Sequence, residues 1–210
     1  SFTSKLKCFK LDDGVVITTN LEEAIINSKL IVIAIPTAFI NDVCKNLKKY
    51  IKPNQHICIA SKGIEQDTCL FIHDIIKKQI KTKYIGAISG PSFAVDLLKK
   101  VPVGLAVASK SKRTLNIIRE AFCNEHFKLY PTSDIIGIEI CGAVKNIIAL
   151  GAGIIDGLGY GDNTRAALMT RGMTEIVRVG EVLGGKKETF YGLTGMGDLI
   201  VTCTSVHSRN

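Results

Sequence analysis

One lysine stands where the sequence gives it no water. Residues 135–155, IIGIEICGAVKNIIALGAGII, are apolar on almost every side of a helix, with Glu139, Lys145 and Asn146 as the main polar interruptions. Such a helix belongs in a protein core. Lysine is almost never fully buried unless paired. An ammonium moved into low dielectric loses hydration, and its pKa falls toward the range in which it can exchange a proton with a substrate. The alternative for Lys145 is to snorkel to the surface along its methylene stem. A membrane span fits less well, because the longest uncharged run here, 146–155, is well short of the roughly 20 apolar residues a span needs.

Other residues supply what such a lysine would work with. Ser61-Lys62-Gly63 and Ser89-Gly90-Pro91-Ser92-Phe93-Ala94 each follow a β-branched run, as does Pro36-Thr37-Ala38-Phe39. A glycine loop with free N–H groups beside a lysine suits an anion. The plain alternatives are turn punctuation for the prolines and glycines, core anchoring for Phe39 and Phe93, and a solvated charge for Lys62. Thr194-Gly195-Met196-Gly197-Asp198 opens a helix, where Asp198 is either a charge favoured by the helix dipole or a functional group. Ser208-Arg209-Asn210 places a hydroxyl, a guanidinium fork and an amide together, a set suited to phosphate oxygens. Gly151-Ala152-Gly153 fails as a dinucleotide fingerprint, because G-x-G-x-x-G needs a strand before it and a closer third glycine.

The elements that must position these groups follow from periodicity. Strands are predicted at 15–19, 30–36, 56–61, 84–89, 103–108 and 127–131, with helices at 39–51, 66–80 and 111–123 among them. Near-continuous apolar strands require a sheet covered on both faces, so the fold class is α/β with a mostly parallel, doubly wound sheet. Ligands bind beyond the carboxyl ends of such strands. From Ile135 the pattern turns helical: 135–155, then 163–183 capped by Asp162 or Thr164 and stopped by Gly184, then a helix from about Gly195. A boundary near Asp134 divides residues 1–134 from 135–210.

Composition narrows the classes. At 210 residues and 46% hydrophobic content the chain can bury a sizeable core. It starts at Ser1 without Met and stops at Asn210 without a polar tail, so a fragment of a longer chain is expected. Seven cysteines (Cys8, Cys44, Cys58, Cys69, Cys123, Cys141, Cys203) include no C-x-x-C pair, which points to a reducing, cytoplasmic setting. The histidines are scattered, and no metal site is expected. The net charge of +8 falls on lysines near helix ends without interleaved aromatics, a pattern of solvated faces that argues against nucleic acid and leaves a mild steering field for anions.

Taken together, SKG at 61–63, SGPSFA at 89–94, GAVKN at 142–146, GAGIIDGLGYGDNTRAALMTRG at 151–172, TGMGDLIVTC at 194–203 and SRN at 208–210 resemble the bacterial type of NAD(P)-dependent glycerol-3-phosphate dehydrogenase. The resemblance covers nearly the whole chain. It implies a partial Rossmann-type NAD(P)-binding domain whose first βαβ unit precedes Ser1, followed by a truncated helical domain. It implies Lys145 as the general acid/base, Lys62 as a substrate contact that polarises the carbonyl, and Asp198 as the carboxylate near the catalytic lysine. Gly90, Ser92, Asn146 and Thr202 match substrate-side positions, and Ser208, Arg209 and Asn210 the phosphate-holding group. Phe39, Lys62, Ala94 and Arg209 match cofactor-side positions. The implied substrate pair is dihydroxyacetone phosphate and glycerol 3-phosphate, the cofactor NAD or NADP, the assembly a homodimer, and the role supply of glycerol 3-phosphate for phospholipid synthesis.

The chemistry suits these types. Hydride addition to a C2 carbonyl requires a proton donor for the developing oxyanion, the part for Lys145, and an electrostatic partner, the part for Lys62. Anchoring the phosphate spends its binding energy on orientation. The glycine fingerprint and the loop that reads the ribose 2′ position are absent, so cofactor preference is not legible. The rivals are another β-hydroxyacid-type dehydrogenase, such as a hydroxyisobutyrate dehydrogenase or ketopantoate reductase, and a dinucleotide-binding regulator without catalysis.

Overall fold

The computed structural model describes residues 11–205 and Ser208. A five-stranded sheet is built from β1 (Leu30–Ile33), β2 (His56–Ile59), β3 (Ile85–Ser89), β4 (Val103–Ser109) and β5 (Phe127–Thr132), in that spatial order. β1, β2 and β3 are parallel, β4 runs antiparallel to β3, and β5 is parallel to β4.

Helices α1 (Leu21–Ile25), α2 (Ile40–Leu47), α3 (Ile72–Ile80), α4 (Ala94–Leu98) and α5 (Lys112–Phe122) are interspersed among the strands. Alternation along each strand sends side chains to opposite faces. Ile57 and Ile59 of β2 join Ile40, Cys44, Leu47, Ile72, Ile75 and Ile76 of α2 and α3 in one core. Cys58 joins Ile88, Leu105, Val107, Leu129 and Ile118 of α5 in another. The sheet is therefore covered on both faces, as its apolar strands require.

The helical part holds α6 (Ile135–Gly157), α7 (Asp162–Val182), α8 (Lys187–Phe190) and α9 (Asp198–Thr204), with a π-helical segment at Leu193–Gly197. Asp134 caps α6 by accepting the Gly137 N–H at 2.8 Å and also accepts the Lys186 N–H at 2.7 Å. Ile135 and Ile138 pack into the sheet's core. Further along, Ile140, Cys141, Ala149 and Ala152 pack with Met173, Ile176, Val177, Phe190, Leu199 and Cys203. α6 thus ties the sheet to the other helices. Its length and apolarity match a membrane span, but it lies against protein with Glu139 and Lys145 buried in polar contacts. One flank departs from the all-round burial its sequence suggests: Ile147, Leu150 and Ile154 are exposed.

Several boundaries differ from those the periodicity predicts. Residues 15–19 form no strand; Val15, Val16 and Ile17 are exposed, and among the described residues no strand lies beside them to complete a ladder. α3 begins at Ile72 instead of 66, because Cys69 takes a left-handed conformation, φ 55°, and Ile64 bridges Phe71. The start of the 39–51 segment is a 3-10 turn at Thr37–Phe39. α7 is capped by neither Asp162 nor Thr164; its N-cap is Gly161, which has no side chain to accept a bond. Gly184, φ 92°, ends that helix as anticipated.

Candidate active site

Three elements converge on one buried carboxylate. Lys62 lies in the loop after the carboxyl end of β2, Lys145 in the middle of α6, and Asp198 at the first position of α9. Lys145 Nζ is 2.6 Å from Asp198 Oδ1, and Lys62 Nζ is 2.6 Å from Oδ2. Side-chain exposure is 2% for Asp198, 10% for Lys145 and 27% for Lys62. Lys145 does not snorkel, and its burial is made tolerable by the carboxylate.

The local sequence explains the placement. Gly195 fits so closely against the Phe190 backbone that a side chain there would overlap it, so the glycine lets the π-helical segment draw the start of α9 inward. Lys62 reaches Asp198 across Gly142 of α6, where an added Cβ would stand 3.2 Å from Lys62 Cγ. At the end of β3, Gly90 has φ 146° and packs its Cα face on Leu105. Its carbonyl oxygen accepts from Lys62 Nζ at 3.3 Å and from Ser92 Oγ at 3.2 Å.

An ammonium has three N–H donors. Lys145 spends one on Asp198 and a second on Thr202 Oγ1 at 3.0 Å. Thr202 in turn gives its hydroxyl proton to the Asp198 backbone carbonyl at 2.5 Å, so its oxygen lone pairs face the lysine. Lys62 likewise uses two donors, on Asp198 and the Gly90 carbonyl. Among the described residues, each lysine keeps one N–H to offer. Burial lowers the pKa of Lys145, the Lys62 charge lowers it further, and Asp198 opposes both.

The remaining sequence-predicted residues are distributed around this centre. Gly90 is buried, while Ser92 and Ser208 are half-buried. Thr202 supports Lys145 directly. Asn146 is exposed on α6, turned about 100° from Lys145 by the helical period. Phe39, 61% exposed, stands in the turn after β1, so the anchoring alternative does not apply to it. Ala94 opens α4. Arg209 and Asn210 lie outside the described residues. Two contributors went unassigned from the sequence. Ser61 latches the Lys62 loop to β1's exit by accepting the Ile35 N–H at 2.9 Å and donating to the Ile35 carbonyl at 2.6 Å. Glu139 was a polar interruption without a role, and it pairs with His73. No local spacing signals contacts 26 and 66 residues apart.

A family model described as "NAD-dependent glycerol-3-phosphate dehydrogenase N-terminus" matches residues 3–115, and its C-terminus counterpart matches 134–210. The chain belongs to the NAD-dependent glycerol-3-phosphate dehydrogenase family. Within that family it is similar to the NAD(P)+ glycerol-3-phosphate dehydrogenase of Clostridium botulinum, 52% identical over 191 residues, which are 91% of this chain and 58% of the relative. The Fusobacterium nucleatum protein of the same name is 47% identical over 99% of this chain and 62% of its own length. Among solved structures, the glycerol-3-phosphate dehydrogenase of Coxiella burnetii superposes with a TM-score of 0.87 at 36% identity, covering 90% of this chain and 58% of that one. The chain therefore spans somewhat over half the length of these family members.

Proposed function

We propose that the protein containing this chain interconverts dihydroxyacetone phosphate and sn-glycerol 3-phosphate with NAD(P)H. The observation that carries the reading is the pair of lysines on the two oxygens of Asp198.

The residues present fit a dinucleotide. Phe39 offers an open aromatic face at the carboxyl edge of the sheet, and Ala94 opens α4, where backbone N–H groups lack helical partners. Phe39 and Ala94, with Lys62 and Arg209, would hold NAD or NADP. When bound, the reduced nicotinamide supplies hydride to C2 of the ketone. Lys145 delivers the proton to the C2 oxygen, passing from ammonium to amine, and takes it back in the oxidation direction. Lys62 stabilises negative charge developing on that oxygen. Asp198 is the positioning carboxylate for both. Gly90, Ser92, Asn146 and Thr202 stand on the substrate side, and Ser208, Arg209 and Asn210 anchor the phosphate.

In this reading residues 1–134 form part of a dinucleotide-binding domain and 135–210 part of a helical catalytic domain, with the boundary at Asp134. The enzyme works in the cytoplasm as a homodimer, making glycerol 3-phosphate for phospholipid synthesis. The test is a substrate panel on the full-length protein. Oxidation of NADH or NADPH with dihydroxyacetone phosphate, and none with short β-keto acids, is expected. Preference for a β-keto acid would move the assignment to the hydroxyacid dehydrogenases, and cofactor binding with no turnover to a regulator.

A further inference from the structure

Glu139 and His73 form a buried polar contact that the reaction above does not use. Their side chains are 2% and 4% exposed. Glu139 Oε1 accepts the His73 backbone N–H at 3.0 Å, and Oε2 bonds His73 Nδ1. The other ring nitrogen, Nε2, lies 3.2 Å from Asp74 Oδ1 at the surface of α3. Burying such groups costs more desolvation than packing two apolar residues, and it gives in return a directional link between α3 and α6.

That link lies at the far end of the loop carrying Lys62. The loop leaves β2 and enters α3. Its start is latched by Ser61 to Ile35. Its far end is closed by the Ile64–Phe71 bridge and by Glu139 gripping His73. Between these ties the Lys62 stem lies across Gly142. Glu139, Gly142 and Lys145 follow at three-residue intervals along α6, so Gly142 is the helix-surface neighbour of both Glu139 and Lys145. Ser61, Lys62, Glu139 and Gly142 line one small cavity where the loop meets the helix.

We propose that Glu139 and His73 are positioning residues for Lys62. The pair fixes the Lys62 loop to the same helix that carries Lys145, and so sets the spacing of the two lysines around Asp198. Neither residue touches the reacting atoms. The inference rests on the reaction proposed above, because it assigns Lys62 work in the transition state.

The experiment compares His73→Leu, His73→Gln and Glu139→Gln in the full-length protein, with kcat expressed per folded molecule, the folded fraction taken from circular dichroism. His73→Leu is expected to lower kcat for dihydroxyacetone phosphate by roughly 10- to 100-fold, the scale of a small misplacement of a catalytic group, with KM little changed. His73→Gln keeps an N–H donor toward Glu139 and recovers most of that loss. In a Lys62→Met background His73→Leu produces no further loss, because the group it misplaces is gone. Equal losses in both backgrounds, or a lower Tm with wild-type kcat per folded molecule, overturn the proposal. Glu139→Gln keeps the acceptor for the His73 N–H and serves if His73→Leu does not fold; a kcat loss that vanishes without Lys62 supports the proposal, and one that persists overturns it. If the wild-type protein reduces no dihydroxyacetone phosphate, the function has failed and amide exchange decides the clamp. Faster exchange across residues 61–71 in His73→Leu or, if that variant does not fold, in Glu139→Gln, with β3 unchanged, supports it, and unchanged exchange overturns it.

Discussion

Lys62 and Lys145 are joined through a single carboxylate, each ammonium 2.6 Å from its own oxygen of Asp198. The Lys62 charge adds to burial in lowering the pKa of Lys145, and Asp198 opposes that lowering. The pH dependence of turnover through Lys145 is therefore a direct report on the arrangement.

Asp198→Asn removes the influence that opposes the lowering of the Lys145 pKa. In the proposed reaction, reduction of the ketone needs protonated Lys145, so kcat in that direction falls as pH rises through its pKa. In the variant that alkaline limb moves to lower pH, and kcat drops across the profile. A pH–kcat series in the reduction direction checks this; a limb that stays in place or moves up would count against the shared carboxylate.

Lys62→Met acts in the opposite sense on the same limb. Removing the neighbouring charge takes away the second cause of the lowered Lys145 pKa, so the limb moves to higher pH. At the same time kcat falls by about 10²- to 10³-fold, the usual cost of losing one donor to a developing oxyanion. Variants whose limbs move in the same direction would contradict the electrostatic account.

How much of this is legible in the sequence depends on the distance between the partners. The apolar surroundings of Lys145 mark it as anomalous from its own helix, and the runs at 30–36, 56–61 and 84–89 place Lys62 and Gly90 at a ligand-binding edge. That Lys62 takes the second oxygen of Asp198, 136 residues away, is set by tertiary packing that no local period encodes. The same holds for His73 and Glu139. The run VVITT has β-branched composition, yet a strand also needs a neighbour, and among the described residues Val16 has none. Gly161 displaces Asp162 as the cap of α7 because capping depends on backbone conformation as well as residue type.

His56 gives the fold its own acid sensitivity. Its ring is buried, with Nδ1 2.9 Å from Thr114 Oγ1. Burial lowers its pKa from 6.5, with the charges of Arg113 and Lys29 adding to the effect. Below about pH 6.5 the unfolded chain binds a proton that the folded chain resists, so this contribution to stability is complete above that pH and is lost as pH falls toward the folded value. Urea midpoints are expected to fall between about pH 7.5 and 5 by less in His56→Asn than in the wild type. Equal falls would show that His56 does not titrate as described.

The central claim is that Lys145 is the proton donor of the reaction, and one comparison tests it most directly. Full-length protein and its Lys145→Ala variant are assayed side by side with dihydroxyacetone phosphate and reduced cofactor, with circular dichroism and cofactor binding confirming that both fold. Robust turnover in the wild type that falls by about 10²- to 10⁴-fold in a folded, cofactor-binding variant is the expected result. A variant that folds, binds cofactor and reduces the ketone at the wild-type rate would contradict the account.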